Sequence, residues 1–473
     1  MNATVDTDRL IEGLKPAFLE VSDLIWATPE LRYQETQSAA VQIALLEEQG
    51  FIVTRNLADI PTAFMAEWGE GGPVIAFLGE FDALAGLSQE AGIAEKRPLE
   101  DGGNGHGCGH NLLGAGAMLA ATALRDHLRM KGIAGRVRYY GCPAEEGGSG
   151  KTFMVRAGVF EGIDAAFSWH PGSFNTVIPS NSLANIQAYF RFSGRAAHAA
   201  ASPELGRSAL DALEITSIGV QYLREHMPEK ARIHAAITHG GGISPNVVQD
   251  HAEALYLVRS PDLNGVLELF ERVKKCAEGA AHMTETTLEV VVDKACSNLL
   301  RNSVLDQLMQ DQMERIGGSG FDAADEKFAS QIQATLSNGD ISAAYTMGCA
   351  EKPVDVPVLA DGVLPMPPEY AVLPGSTDVG DVSWQTPLAQ CFAASHALGT
   401  PFHTWQFVAQ GKSSIAHRGM VFAARAMAGS GAALFDNPSL LATAKEEFAR
   451  RTKATPYICP IGPEVELPFR RKS

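Results

Sequence analysis

Val74-Ile75-Ala76-Phe77-Leu78 is a continuous apolar run, and it stops at Gly79-Glu80-Phe81-Asp82. Such a run is the pattern of a strand covered on both faces in a parallel sheet. Two later runs stop in a similar way. Val137-Arg138-Tyr139-Tyr140-Gly141 ends just before Glu145-Glu146, and Ala165-Ala166-Phe167-Ser168-Trp169 ends at His170. Upstream, residues 9–50 read as two amphipathic helices broken near Thr28-Pro29-Glu30, followed by a short strand at Phe51–Thr54. The alanine- and leucine-rich stretch from Asn111 to about Met130 predicts a buried helix. Strands alternating with helices predict an open α/β sheet, and such sheets bind ligands outside the carboxyl ends of their strands. Polar residues that follow strands therefore have a route to one crevice.

From about residue 184 the rhythm changes. The pattern predicts strand Ile186–Ser193, helix Leu205–Glu225, strands Arg232–Thr238 and Ala252–Arg259, helix Asn264–His282 and strand Thr287–Val292. That order is the β-α-β-β-α-β split unit. The expected fold class is α/β: a first domain with a mixed, mainly parallel sheet flanked by helices, plus an inserted ferredoxin-like α+β domain. The expected boundaries are 1–183 and 299–473 for the discontinuous first domain and 184–298 for the insertion. Residues 318–370, with Pro353, Pro357, Pro365, Pro367 and Pro368, read as a long irregular stretch with no evident role.

Composition narrows the function classes. A chain of 473 residues exceeds what one core usually supports, in keeping with two domains. A formal charge of −17 repels phosphate backbones and anionic lipid, which argues against nucleic acid or membrane as partner. The N-terminal sequence Met1-Asn2-Ala3-Thr4-Val5-Asp6-Thr7-Asp8 lacks the basic and apolar regions of a secretory signal, and no apolar run is long enough to span a bilayer. A cytoplasmic location is expected. The seven cysteines are odd in number and scattered, unlike a disulfide framework.

The chemistry concentrates in Gly105-His106-Gly107-Cys108-Gly109-His110-Asn111, where thiol and imidazole sit two residues apart among glycines. Glycines let the backbone bend both side chains towards one point, and thiolate with imidazole suits zinc, copper or iron. His106 competes on the same loop. Glu145 and Glu146 occupy adjacent positions just past a strand and so point different ways. One carboxylate can bind a metal while the other serves as general base, a pairing that metal-assisted hydrolysis needs. A Glu-Glu pair is more often two solvated acids in a turn, but three of the next four residues are glycine, which favours the functional reading.

His170, His403 and His417 are weak signals alone and gain weight only together. His198, in Gly194-Arg195-Ala196-Ala197-His198-Ala199-Ala200, falls in the inserted domain, where a lid histidine could donate to an oxyanion on closure. Asn246, in the loop Gly240-Gly241-Gly242-Ile243-Ser244-Pro245-Asn246, and Arg259 are candidates for holding a substrate carboxylate. Gly375-Ser376-Thr377-Asp378 is a further polar loop.

Several segments, in this order, resemble the aminoacylase and carboxypeptidase-G family of dinuclear metallohydrolases. They are Gly79-Glu80-Phe81-Asp82-Ala83-Leu84, Gly107-Cys108-Gly109-His110-Asn111, Pro143-Ala144-Glu145-Glu146-Gly147-Gly148, Gly194-Arg195-Ala196-Ala197-His198-Ala199 and the C-terminal His403. The extended loop Gly102–Gly114, Ser376-Thr377-Asp378-Val379-Gly380 and Thr455-Pro456-Tyr457-Ile458-Cys459-Pro460 are similar to its amidohydrolase branch. The resemblance implies two divalent metal ions per chain, Mn2+ or Zn2+. Cys108 would bridge them, and His110, Glu146, His170 and His403 would complete the shells.

It also implies that Glu145 acts as base and acid and that the inserted domain is a lid mediating dimerisation. Many relatives carry a histidine ligand where this chain has Glu80, and here Cys108 and His110 replace that arrangement. Asp82 would then orient a histidine ligand, His110 above all. The implied reaction is hydrolysis of an N-acyl or N-aroyl amino acid, with p-aminobenzoyl-glutamate as leading substrate. A dipeptidase, another N-acyl amino acid amidase, or a protein inactive without a homologous partner is the alternative. The implied partners are a second copy of the chain or a homologous A-type subunit.

Overall fold

The computed structural model describes residues 3–178, 180–367, 371–372 and 375–470 of the chain. They form two compact units: Met1–Ser180, Leu300–Ala371 and Val382–Tyr457 make the first, and Asn181–Leu299, Val372–Asp381 and Ile458–Ser473 the second.

In chain order the first unit begins with α1 (Ala3–Ala27), α2 (Thr36–Glu48), β1 (Ile52–Arg55), β2 (Phe64–Glu70) and β3 (Val74–Glu80). After a long loop come α3 (His110–Lys131), β4 (Gly135–Cys142), a single helical turn α4 (Glu145–Gly148), α5 (Gly150–Arg156), β5 (Ala165–Gly172), β6 (Thr176–Val177) and β7 (Ser180–Asn181). The second unit supplies β8 (Ala184–Ser193), α6 (Ala209–Leu223), β9 (Arg232–His239), β10 (His251–Ser260), α7 (Leu263–Thr284) and β11 (Thr287–Cys296). Then follow α8 (Ser303–Ile316), α9 (Ala323–Gln333), α10 (Asn338–Met347), β12 (Ala371–Val372), α11 (Val379–Ser383), β13 (Leu388–Ala394), α12 (Trp405–Gln410), α13 (Ser414–Asp436) and α14 (Pro438–Ala454).

The large sheet runs β1-β2-β4-β3-β5-β13-β6. Its centre is parallel: β3 pairs with β4 and β5, and β13 with β5, while β1, β2 and β6 run antiparallel to their neighbours. All seven residues of β3 are buried, as a central strand without a wet face requires. Helix α3 is buried from His110 to Leu128 and packs against α1, α13 and the sheet. Alanine and glycine make that approach possible. A Cβ on Gly116 would come within 2.9 Å of the Trp169 indole nitrogen, which donates to the Leu113 carbonyl at 3.0 Å. Gly132 ends α3 at φ 65°, and the Ile133 N–H closes back on the Leu128 carbonyl.

The second unit holds a four-stranded antiparallel sheet in the order β11-β8-β10-β9, with α6 and α7 packed on it. Along β10 burial alternates residue by residue, the signature of one covered face. Strand β9 lies at the sheet edge and is exposed at every position except Ile233.

Two details differ from the sequence expectation. His170 lies inside β5, two residues before its end. Residues 318–370 contain α9 and α10. Each opens with a capping box, Asp322 with Asp325 and Ser337 with Asp340, and each packs through a small apolar cluster. The expected irregularity holds from about Pro353 onward, and residues 368–370 lie outside the described ones. Among the described residues no helix is long and apolar enough to cross a membrane.

Candidate metal centre

Strands β3, β4 and β5 run parallel, so their carboxyl ends lie on one edge of the sheet and the polar residues there converge. Glu80 ends β3 and Asp82 follows two residues later. His110 is the first residue of α3, reached through Gly109 at φ 75°, where a Cβ would come within 2.8 Å of Pro171. Ala144, at φ 62°, turns the chain sharply from β4 into Glu145 and Glu146. His403 itself sits at φ 59°, and its N–H donates to the Gly107 carbonyl at 2.8 Å. These non-glycine residues in the left-handed region store strain at the site, and the surrounding hydrogen bonds hold it there.

Three groups of side chains offer ligand atoms that all lie within 4.8 Å of one another: Cys108 with His110 and His170, Cys108 with Glu146 and His403, and Glu80 with His110 and Glu145. Cys108 belongs to two of them. Its Sγ lies 3.4 Å from His170 Nε2, and His403 Nε2 lies 3.3 Å from Glu146 Oε2. Asp82 reaches both halves of the cluster. Its Oδ1 is 2.8 Å from His110 Nδ1, and its Oδ2 accepts the Glu146 N–H at 2.8 Å.

His110 Nε2 and Glu146 Oε1 are buried and make no well-formed hydrogen bond, His110 Nε2 facing the Glu80 carboxylate at 3.3 Å, although polar atoms away from water are nearly always satisfied. Buried polar atoms so crowded in a mixed thiol, imidazole and carboxylate set fit a pair of borderline divalent ions.

The charges on these groups follow from their neighbours. Burial, reinforced by the Glu146 carboxylate, pushes the Cys108 thiol well above its ordinary value, so a thiolate forms there only where a cation compensates it. Burial opposes charge on Glu146 too, but the His403 hydrogen bond and the positive His110 hold it down to about 2. Burial likewise disfavours the His110 cation, and Asp82 outweighs it and raises that imidazole. Glu80 is held ionised against burial by Lys151, whose Nζ lies 2.7 Å from its Oε1 in a fully buried pair. Glu80 Oε2 lies 3.3 Å from His110 Nε2.

The loop carrying Glu145 and Glu146 is gripped by a segment the sequence did not single out. Arg32 donates to the Gly147 carbonyl, and Tyr33 Oη donates to the Gly148 carbonyl at 2.7 Å. Glu35 accepts the Ala144 N–H at 2.9 Å through Oε1 and the Thr62 hydroxyl at 3.0 Å through Oε2. Three side chains from four consecutive positions thus fix the backbone on both sides of the Glu pair. Burial, with the Asp82 charge second, pushes the Glu35 carboxyl up to about 8.

An acid raised on folding stabilises fully below its ordinary value of 4.5 and loses that contribution as pH rises towards 8. Glu35→Gln keeps an acceptor for the Ala144 N–H and can donate its amide N–H to the Thr62 hydroxyl without ionising, so its melting temperature should fall less than that of the wild type between those pH values. Glu35→Ala orphans the Ala144 N–H and should cost about 1–3 kcal/mol by denaturant titration. Equal pH profiles for wild type and Glu35→Gln would remove the buried-acid interpretation.

The competing histidines lie elsewhere. His106 Nε2 donates to the Ile25 carbonyl at 3.0 Å, and burial pushes the ring down to about 3, so it is a neutral core residue. His417 Nε2 pairs with Asp23 Oδ1 at 3.0 Å. Neither belongs to a ligand group among the described residues. His198, Asn246 and Arg259 are in the second unit. His198 is exposed, and its Nδ1 accepts from the Ala200 and Ala201 N–H groups at 3.2 and 3.1 Å. Asn246 is exposed in the glycine-rich loop. Arg259 Nη1 donates to Ser376 Oγ at 3.0 Å, joining two of the polar features noted in the sequence.

Residues 76–450 match the sequence pattern of the peptidase family M20/M25/M40. Over 467 residues the chain is 50% identical to the B-type subunit of p-aminobenzoyl-glutamate hydrolase from Escherichia coli (strain K12), covering 97% of each. It is 32% identical to the A-type subunit of the hydrolase from the same organism, over 54% of this chain and 58% of that one. The crystal structure of an aminobenzoyl-glutamate utilization protein from Klebsiella pneumoniae superposes with a TM-score of 0.60 at 17% identity, over 90% of this chain and 98% of that one, a likeness of fold.

Proposed function

The chain belongs to the peptidase family M20/M25/M40, and from that membership we propose that it is a metal-dependent amidohydrolase that splits p-aminobenzoyl-glutamate into p-aminobenzoate and glutamate. What supports this reading most is the pair of ligand groups sharing Cys108, set at the carboxyl ends of parallel strands. The 50% identity across 97% of the B-type E. coli protein supports the substrate.

Cys108, His110 and His170 would hold one ion, and Cys108, Glu146 and His403 the other. Two divalent ions supply a Lewis acid for the amide carbonyl and lower the pKa of the attacking water. Zn2+ suits the thiolate best, while the imidazoles and carboxylate also accept Mn2+. Glu145 takes a proton from the attacking water and passes it to the leaving nitrogen, so that glutamate departs as a neutral amine rather than an amide anion. Asp82 holds the His110 tautomer that leaves Nε2 free to ligate. His198 donates to the oxyanion, and Asn246 or Arg259 receives the substrate carboxylate.

The 184–298 segment serves as lid and dimerisation domain. Its edge strand β9 exposes Ile237, and α6 exposes Ile218 and Tyr222, an apolar surface that a second copy or an A-type subunit would cover. Seven free cysteines are consistent with a reducing, cytoplasmic setting.

The test is amino-acid release by the purified protein, loaded with Mn2+ or Zn2+, from a panel of p-aminobenzoyl-glutamate, acetyl amino acids and dipeptides. Preferred release of glutamate from the aroyl substrate is expected. Preferred cleavage of a dipeptide would overturn the substrate. Silence that ends on adding an A-type subunit would make the chain one half of a heteromeric enzyme.

A further inference from the structure

A cavity of about 150 Å³ opens in the first unit, lined chiefly by Gly172, Phe174, Ala344, Met347, Phe392 and Phe402. Two of its walls adjoin the metal centre. The rings of Phe392 and Phe402 meet the His170 imidazole edge-on, at 5.9 and 5.3 Å between centroids. Phe402 precedes His403 in the chain, and Gly172 lies two residues after His170.

The third wall is α10, from the stretch whose role the sequence left open. Tyr345 seats α10 by meeting Phe174 at 5.2 Å in a T-shaped pair. Gly348 closes the gap behind it, since a Cβ there would come within 2.7 Å of the same ring.

We propose that this cavity receives the aromatic ring of the substrate's acyl half, so that α10 makes the enzyme selective for monocyclic aroyl groups. The proposal rests on the amidohydrolase reading given above and deepens it. Three observations carry it. The lining is mainly apolar, so it favours a ring over a polar group. The volume matches apolar cavities of about 150 Å³, which bind benzene. Three phenylalanines, Phe174, Phe392 and Phe402, line it and suit the tilted packing that rings prefer. An acetyl group would leave most of the space unfilled, and a fused two-ring acyl group would exceed it.

The experiment compares p-aminobenzoyl-glutamate with acetyl-glutamate on the metal-loaded full chain, for wild type and Ala344→Phe. The bulkier side chain should raise KM for the aroyl substrate about tenfold or more and leave the acetyl substrate within about twofold. It should also abolish inhibition of acetyl-glutamate hydrolysis by p-aminobenzoate. Should Ala344→Phe not fold, Met347→Ala tests the same wall from the other side, by admitting a naphthoyl substrate that the wild type refuses. Equal losses on both substrates, or none on either, would overturn the role of α10 while leaving the amidohydrolase intact. Wild-type enzyme inactive on both substrates would instead remove the functional reading on which the proposal rests.

Discussion

Glu145→Gln is expected to lower kcat by about 10²–10⁴-fold with the melting temperature unchanged and two metal ions still bound per chain. Glutamine has the same shape and can still donate and accept a hydrogen bond, but it cannot take a proton from water. Glu145 lies with Glu80 and His110, outside both groups that contain Cys108. Its removal as a base therefore leaves the proposed ligand sets whole. Measuring kcat together with metal content by atomic emission separates two roles. Lost turnover with full metal makes Glu145 the base; lost turnover with one ion missing would make it a ligand alongside Glu80. Activity within tenfold of wild type would dismiss both.

Cys108→Ala should empty the whole centre, whereas His403→Ala should leave one ion behind. Cys108 is the donor common to the two groups, while His403 belongs to one. The loss of affinity for both ions should exceed the roughly 10–100-fold that removing an outer partner such as Asp82 costs. Stoichiometry by titration under a competing chelator reads the difference directly. Two tightly bound ions in Cys108→Ala would mean that the thiol is a neighbour of the centre and not its bridge.

Most of the architecture could be read from the order of apolar runs. Strand β3 before Asp82 is buried throughout and β5, which carries His170, nearly so, and their apolar runs are easy to see, whereas Arg136 and Arg138 interrupt β4 before Glu145. The alternating inserted sheet showed its β-α-β-β-α-β order just as openly. The histidines were legible only as a set, because a ligand and a satisfied core histidine look alike in isolation. His106 and His403 are both histidines in glycine- or proline-bearing loops, and only the Ile25 carbonyl and the Glu146 carboxylate tell them apart.

What stayed hidden involves backbone acceptors and long separations. Arg32, Tyr33 and Glu35 act on carbonyls and an N–H more than a hundred residues away, groups that every residue carries and no motif marks. Lys151 follows a glycine-rich turn, where no motif marks it as the buried partner of Glu80. Helices α9 and α10 carry a sequence signal in their caps, Asp322 with Asp325 and Ser337 with Asp340, while the prolines downstream belong to the irregular part of the same stretch.

The candidate ligands come from loops as far apart as Cys108 and His403, and they meet only once β3, β4, β5 and β13 lie side by side. An unfolded chain would present the ions with one or two donors at a time. Most of the centre's affinity is therefore created by sheet assembly, and metal capture belongs to the last stage of the protein's maturation. The extensive apolar core around α3 contains none of the candidate ligands. A chain short of the metal is therefore expected to keep that core and lack only turnover, so that supply of the ion, and not new synthesis, would restore activity.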